Sequence, residues 1–412
     1  SPPTITIMMF VLFLTSMLIV LASSSKLYYA PKGRVIKDSY VIRLTSRSTL
    51  QHLRTHITEM IESLGNDNFE LRHAYENLAS FKTVGYSAKL TQKALDFLLT
   101  HDLVDYIEED QEKYLVISTC EHQSNPDWGL ARTNHQDYNR LQNYTYDYTD
   151  GATGAGVDAY VIDTGIYCEN DDFTSKKAGS CSFGATFVDP IIGPPNETDG
   201  NGHGTHCAGT IGGQTYGVAK EVDLIAVKVM SDRGSGSSSD ILAGIDWVVG
   251  NAKKTRKPSV ANLSIGGGYS KTENDAIADA TSAGIVMVVA AGNEDSDACD
   301  TSPASEPSAV TVGATDDTNQ RASYSNWGSC LDLFGPGTDI TSAWIGSTDA
   351  TNTISGTSMA TPHVTGVAAK MRSADTSLTV AEVSKKLVAD ASEGEITDLK
   401  GSPNLMVYAT CE

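Results

Sequence analysis

The chain has 412 residues, 40% hydrophobic and 20% charged, an ordinary globular composition with length enough for two or three domains. Its formal net charge of −21 argues against a nucleic-acid partner, because phosphate binding needs clustered Lys and Arg. The acid is unevenly spread: residues 1–120 hold 12 basic and 13 acidic side chains, and the remainder 18 and 38.

Residues 5–22, ITIMMFVLFLTSMLIVLA, are almost wholly apolar. A run of that length is a signal peptide or a membrane anchor. Small residues at Ala22 and Ser24 suit signal-peptidase cleavage, so residues 1–24 are read as a signal and the rest as exported and disulfide-permissive. Residues 39–117 then form a small domain. SYVIRLT alternates as a strand does, and LQHLRTHITEMIESL carries a helical stripe at Leu50, Leu53, Ile57, Ile61 and Leu64. FELRHAY and VGYSAKL alternate again, TQKALDFLLTHDLV is a second helix, and VDYIEEDQEKYLVI ends with a strand. This β-α-β-β-α-β order is the ferredoxin-like α+β plan. No catalytic constellation is evident in it.

From Trp128 the pattern changes. DAYVID, VDLIAVKVM, SVANLSI, GIVMVVAA and AVTVGA are continuously apolar, as strands buried on both faces are. Helical stretches such as SDILAGIDWVVGNAKK and ENDAIADATSAG separate them, which predicts an α/β domain with a parallel sheet and right-handed crossovers. GSGSSSD and VDPIIGPPNETDGNG are surface loops.

Four residues on the glycine-flanked loops of this domain could do chemistry. Asp163 closes the strand YVID and either caps the next turn or orients a histidine. NGHGTHCAG offers His203, His206 and Cys207 as zinc donors, a turn, or a general base, but it lacks the glutamate of the helical zinc-protease motif. Asn293 in VVAAGNE is a turn residue or an oxyanion donor. Ser358 in SGTSMATPHVTG stands at a helix N-terminus, as a cap or where unpaired N–H groups favour developing negative charge; Pro362 behind it is tolerable only in the first turn. Together they run Asp, His, Asn, Ser, and the Asp, His, Ser within that run is the triad order of subtilisin and not the His, Asp, Ser order of chymotrypsin. GTSMA does not fit the G-x-S-x-G of an α/β-hydrolase. Of seven cysteines at least one must be free or intermolecular; Cys168 and Cys181 could close a short loop, Cys299 and Cys330 a longer one.

YVIDTGI, NGHGTHCAGTIGG, NLSIGGG, AAGNE and SGTSMATPHVTG resemble the signature blocks of the subtilisin-like serine proteases. WGLAR, YGVAK, SPASEPS and FGPGT resemble the proteinase K-like branch, and the likeness runs from about Trp128 to Tyr408. The resemblance implies a three-layer subtilisin-like domain over residues 121–412, preceded by an inhibitory propeptide over 25–120 that assists folding and is cut off near Glu121. It implies a secreted, monomeric serine endopeptidase acting on proteins and peptides, with its own propeptide as inhibitor and no stable membrane partner. Ser358 would be the nucleophile, His203 the base, Asp163 its orienter and Asn293 an oxyanion donor. His206 and Cys207 would pack behind the site, with no catalytic metal.

The resemblance further implies that substrate lies between two edges, Gly234, Ser235 and Gly236 on one and Ser264, Ile265 and Gly266 on the other. Ala290, Ala291 and Gly292 would wall an apolar S1 site. Ser238 stands where the branch often carries the Tyr that flanks S4. A structural calcium would be held by Asp332 and the carbonyls of Pro307 and Ala309. The pair Cys299 with Cys330 matches one in bacterial relatives, Cys168 with Cys181 rests on proximity, and paired cysteines of the branch are replaced at Asp158, Lys257 and Val310. Sequons at Asn143, Asn196 and Asn262 are candidate glycan sites, Asn262 the least accessible. The rival readings are an inactive relative that binds peptide or protein and an interaction module built on the N-terminal domain.

Overall fold

The computed structural model describes residues 26–30, 35–75, 84–111, 120–136, 144–149, 151–177, 179–188 and 196–409. The apolar run 5–22, Asn143 and Cys411 lie outside them. The chain divides into two compact units between residues 116 and 117.

In the N-terminal unit the order is β1 (Val35–Leu44), α1 (Leu50–Leu64), β2 (Phe69–Ala74), β3 (Gly85–Leu90), α2 (Gln92–Leu99) and β4 (Val104–Gln111). The sheet runs β4-β1-β3-β2, all antiparallel, with the short strand Leu27–Tyr28 parallel to β4 at its edge. Thr49 caps α1 by accepting from the His52 N–H, and the stripe Leu53, Ile57 and Met60 is buried against the sheet residues Ile42, Tyr86 and Ala88. The second helix ends at Leu99, short of the predicted Val104. Thr100 turns its hydroxyl onto the Phe97 carbonyl, and His101 Nδ1 accepts from the Leu103 N–H, so the chain reverses into β4. The final strand is thus Val104–Gln111, while residues 112–119, with the predicted YLVI, lie outside the described residues.

In the C-terminal unit the main strands are β5 (Asp158–Asp163), β6 (Cys181–Thr186), β7 (Asp223–Lys228), β8 (Ser259–Leu263), β9 (Ile285–Ala290), β10 (Val310–Thr315), β11 (Leu333–Pro336) and β12 (Leu405–Met406). The main helices are α3 (His203–Gly212), α4 (Ser238–Thr255), α5 (Lys271–Ser282), α6 (Thr357–Ala374) and α7 (Val380–Asp390). The sheet order is β12-β11-β10-β9-β8-β5-β7-β6, parallel throughout, with Ser392–Glu393 antiparallel at the β12 edge. The predicted strands and helices are found within a few residues of their expected ends.

Strand alternation sorts β5 into two cores. Ala159 and Val161 face a cluster that includes Ile211 of α3 and Val364 and Val367 of α6, whereas Tyr160 and Ile162 face Ile241 and Ile245 of α4 and Ile277 of α5. Both faces are covered, which is why the strands read as unbroken apolar runs. From β5 the chain goes out to the edge at β6, returns through β7, and continues on the other side of β5 with β8. That reversal is a topological switch point, where open α/β sheets gather ligands beyond the carboxyl ends of their strands.

Candidate active site

Asp163 is the last residue of β5 and shares the parity of Ala159 and Val161, so its carboxylate faces α3. Its Oδ1 accepts from the Thr164 N–H at 2.7 Å. His203 is the first residue of α3, and its Nδ1 lies 2.9 Å from both Asp163 oxygens. Two glycines permit that approach. A Cβ at Gly204 would sit 2.2 Å from the Gly165 carbonyl, and one at Gly202, whose φ is +107°, would meet the Trp344 ring at 2.5 Å. The turn is tied from below by buried Asp199. Its Oδ1 accepts from the N–H groups of Asn201 and Gly202, and its Oδ2 from the N–H and hydroxyl of Thr205.

Burial disfavours a charged His203, but the adjacent Asp163 carboxylate more than compensates and holds the imidazole well above its ordinary range. With Nδ1–H given to Asp163, the neutral ring presents the Nε2 lone pair. His206 points elsewhere. Its Nε2 meets the Ile340 carbonyl at 3.0 Å, its ring is edge-on to Trp344, and burial pushes its pKa down to about 4. Cys207 is buried and free, its thiol pKa pushed up by burial. Although Asp163, His203 and Cys207 place donor atoms within 4.8 Å of one another, the second histidine of the motif is not among them.

Ser358 is the second residue of α6, whose cap is Gly356. The Thr357 N–H goes to Asn293 Oδ1 at 2.8 Å and the Met359 N–H to the Gly356 carbonyl at 3.0 Å. Among the described residues the Ser358 N–H between them has no acceptor, as expected for a first-turn donor. The Thr357 hydroxyl also donates to Asn293 Oδ1, which fixes the amide's orientation and leaves its NH2 group toward the site. Ser358 Oγ donates to the Ser264 carbonyl at 3.1 Å rather than to His203.

Pro362 corrects the sequence expectation: it stands in the second turn of α6. A residue there would ordinarily donate its N–H to the Ser358 carbonyl, and proline has none. The carbonyl instead accepts from the Ser264 hydroxyl at 2.9 Å and the Cys207 thiol at 3.4 Å, so tertiary donors replace the missing helical one.

One cleft is lined by Asp163, His203, Asn293, Ser358, Gly234, Ser264, Ile265 and Gly266, together with Thr164, Asn201 and Met230. Ser235, Gly236, Ala290, Ala291 and Gly292 are outside that lining, and Ala290 and Ala291 are buried. Thr164, Asn201, Met230 and Asp199 escaped sequence reasoning. Only Asp199 carried a signal, an Asp-Gly-Asn-Gly turn directly before a helix.

Away from the cleft, Asp332 precedes β11 and its Oδ2 accepts from the Thr311 N–H at 2.8 Å. The disulfides Cys168–Cys181 and Cys299–Cys330 are both formed, and Cys120 is also disulfide-bonded. Where the resemblance lacks its cysteines, buried Asp158 is ion-paired at 3.1 Å with Lys257, which also reaches Asp223 at 2.9 Å. Asn262 is fully buried, its amide bonded to Ser264 and Thr365, whereas Asn196 is partly exposed and donates to Asp232.

Comparison with known proteins accords with this geometry. Residues 154–405 match the Subtilase family of peptidases, and residues 39–115 match Peptidase inhibitor I9. A cuticle-degrading serine protease of Arthrobotrys oligospora is 40% identical over 93% of this chain and 93% of its own. Proteinase R of Parengyodontium album is 40% identical over 92% and 90%. A crystal structure of a cold adapted subtilisin-like serine proteinase superposes with a TM-score of 0.64 at 44% identity, over 70% of this chain and all of that one.

Proposed function

The chain belongs to the subtilase family and is a serine endopeptidase, and on that premise we propose that Ser358, His203 and Asp163 carry its chemistry. Ser358 Oγ attacks the scissile carbonyl while His203 Nε2 takes its proton. The 2.9 Å contact of Nδ1 with Asp163 is the observation that carries this reading, because it fixes the tautomer and stabilises the imidazolium that forms. For the attack, Ser358 Oγ rotates away from the Ser264 carbonyl toward His203. The Ser358 N–H and the Asn293 NH2 converge on the oxyanion. His203 then returns its proton to the leaving amine, and water repeats the sequence on the acyl-enzyme.

The substrate lies as an extended segment against residues 234–236 and 264–266. Gly266 supports this, since a Cβ there would meet nothing within 4 Å. Gly292, which is partly exposed, opens the base of an S1 site that favours apolar side chains, with buried Ala290 and Ala291 behind it. Residues 25–120 are a ferredoxin-like propeptide, an assignment supported by the β4-β1-β3-β2 order and the match to an inhibitor family. The protein is secreted after loss of residues 1–24, matures near Glu121 to a monomeric peptidase over 121–412, and carries glycans at Asn143 and Asn196. A calcium ion fits at Asp332 with the carbonyls of Pro307 and Ala309. Among the described residues neither carbonyl has a backbone donor, and burial raises the Asp332 pKa to about 6, a penalty that a bound cation would relieve.

The test is intact mass over time for the refolded full chain beside Ser358→Ala. Splitting near Glu121 in the unaltered chain alone is expected. If both stay whole while folded, the self-processing reading fails; identical splitting of both would leave no role for Ser358.

A further inference from the structure

We infer that Asn326 and Glu294 are positioning residues for the oxyanion site, acting through Asn293; this rests on the role proposed above for Asn293. Asn326 is completely buried, and its side-chain amide takes the place of a neighbouring strand for residues 291–296. Nδ2 donates to the Ala291 carbonyl at 2.9 Å and to Glu294 Oε2 at 3.0 Å. Oδ1 accepts from the N–H groups of Glu294 and Ser296, both at 3.0 Å, and from the Ser296 hydroxyl at 3.3 Å. Every bonding direction of the amide is therefore spent on one loop. The Asn326 backbone N–H adds a bond to the Gly292 carbonyl at 2.9 Å.

Asn293 is the exposed residue at the centre of that loop and touches Asn326 only through intermediates. Its N–H donates to Glu294 Oε2 at 2.9 Å, the same oxygen that Asn326 holds. Gly292, with φ of +104°, passes so close that a Cβ would stand 2.3 Å from Asn326 Nδ2. On its other side Asn293 is gripped by Thr357, the neighbour of Ser358. One continuous path thus runs from Asn326 through Glu294 and Asn293 to the first turn of α6. A donor to a developing oxyanion must be held close to its final place, since a displacement of ~1 Å costs on the order of a hundredfold in rate. The two Thr357 bonds fix the Asn293 side-chain oxygen, and the buried Asn326 amide holds the backbone of the exposed loop that carries it.

Asn326→Asp keeps the shape but removes both donors and sets a carboxylate against Glu294. It is expected to lower kcat ten- to a hundredfold with KM changed less than threefold. The deciding measurement is a double-mutant cycle with Asn293→Ala: if Asn326 acts through Asn293, Asn326→Asp has little further effect on kcat once Asn293 is gone. Equal losses in both backgrounds would make Asn326 a structural residue only and overturn the inference. Should Asn293→Ala itself leave kcat unchanged, the oxyanion role of Asn293 fails instead. Glu294→Ala, at an exposed position, repeats the cycle if the buried substitution prevents folding; it is expected to lower kcat several-fold only while Asn293 is present.

Discussion

At the scale of single residues, the charge state of His203 sets when the site can work. Its pKa is held above 6.5 by Asp163, so the acid limb of kcat/KM for the mature enzyme should lie above pH 6.5. Asp163→Asn should move that limb downward and lower kcat by ~10³–10⁴; an unmoved limb would assign it to another group. The same pairing stabilises the fold fully below the unfolded pKa and is lost as pH rises through the folded one, so activity appears as this contribution declines. Asp163, His203, Asn293 and Ser358 are legible in the sequence because each polar side chain ends or opens an apolar element, where chance seldom leaves one. Met230 is not, because a methionine at a strand end reads as core.

Among the elements, α3 shows what strand and helix patterns conceal. Its first residue is placed by Asp199, four positions earlier, through four accepted hydrogen bonds. Asp199→Asn keeps an acceptor for Asn201 and Gly202 but turns a donor toward Thr205. Stability should fall by about 1–3 kcal/mol and kcat/KM by at least about tenfold. Denaturant unfolding in a Ser358→Ala background checks the first, and kinetics of the active variant the second. Helix α6 gives the complementary lesson. Local rules put Pro362 in a first turn, yet Ser264 and Cys207 make a second-turn proline acceptable. Such donors come from segments about 94 and 151 residues away, beyond the reach of any local pattern. The parallel sheet, by contrast, is readable because burial on both faces leaves a compositional mark on every strand.

Across the whole molecule, opposed buried titrations shape the response to acid. His206 and His363 are buried with pKa values of about 4, so between pH 6.5 and 4 the unfolded chain takes up protons that the folded one refuses. Each weakens folding as pH falls through that window, by on the order of 3 kcal/mol in full. Asp127, raised to about 6 by burial, runs the other way, as does Asp332 when no cation is bound to it: each binds a proton in the fold first, and stability gains as pH falls from 6 toward 4. Measured without calcium, the thermal midpoint of the Ser358→Ala chain should therefore fall less from pH 6 to about 4.5 than the buried histidines, His56 included, would impose alone. Asp127→Asn, which keeps the cap on Gly129, removes one of the opposing carboxyls and should make the midpoint fall more steeply on acidification; calorimetry across that range decides. None of this is visible in composition, because burial, not residue type, sets the direction of each shift.

The Ser358 carbonyl has a consequence for how the site opens. Two side chains from separate layers share it as their acceptor, one on the helix that begins with His203 and one on the segment beyond β8. Fraying the first turn of α6 would release both at once and leave three groups unsatisfied. Breathing motions in this region should therefore be cooperative, with amide exchange from the start of α3, the start of α6 and residues 263–265 following a single opening event.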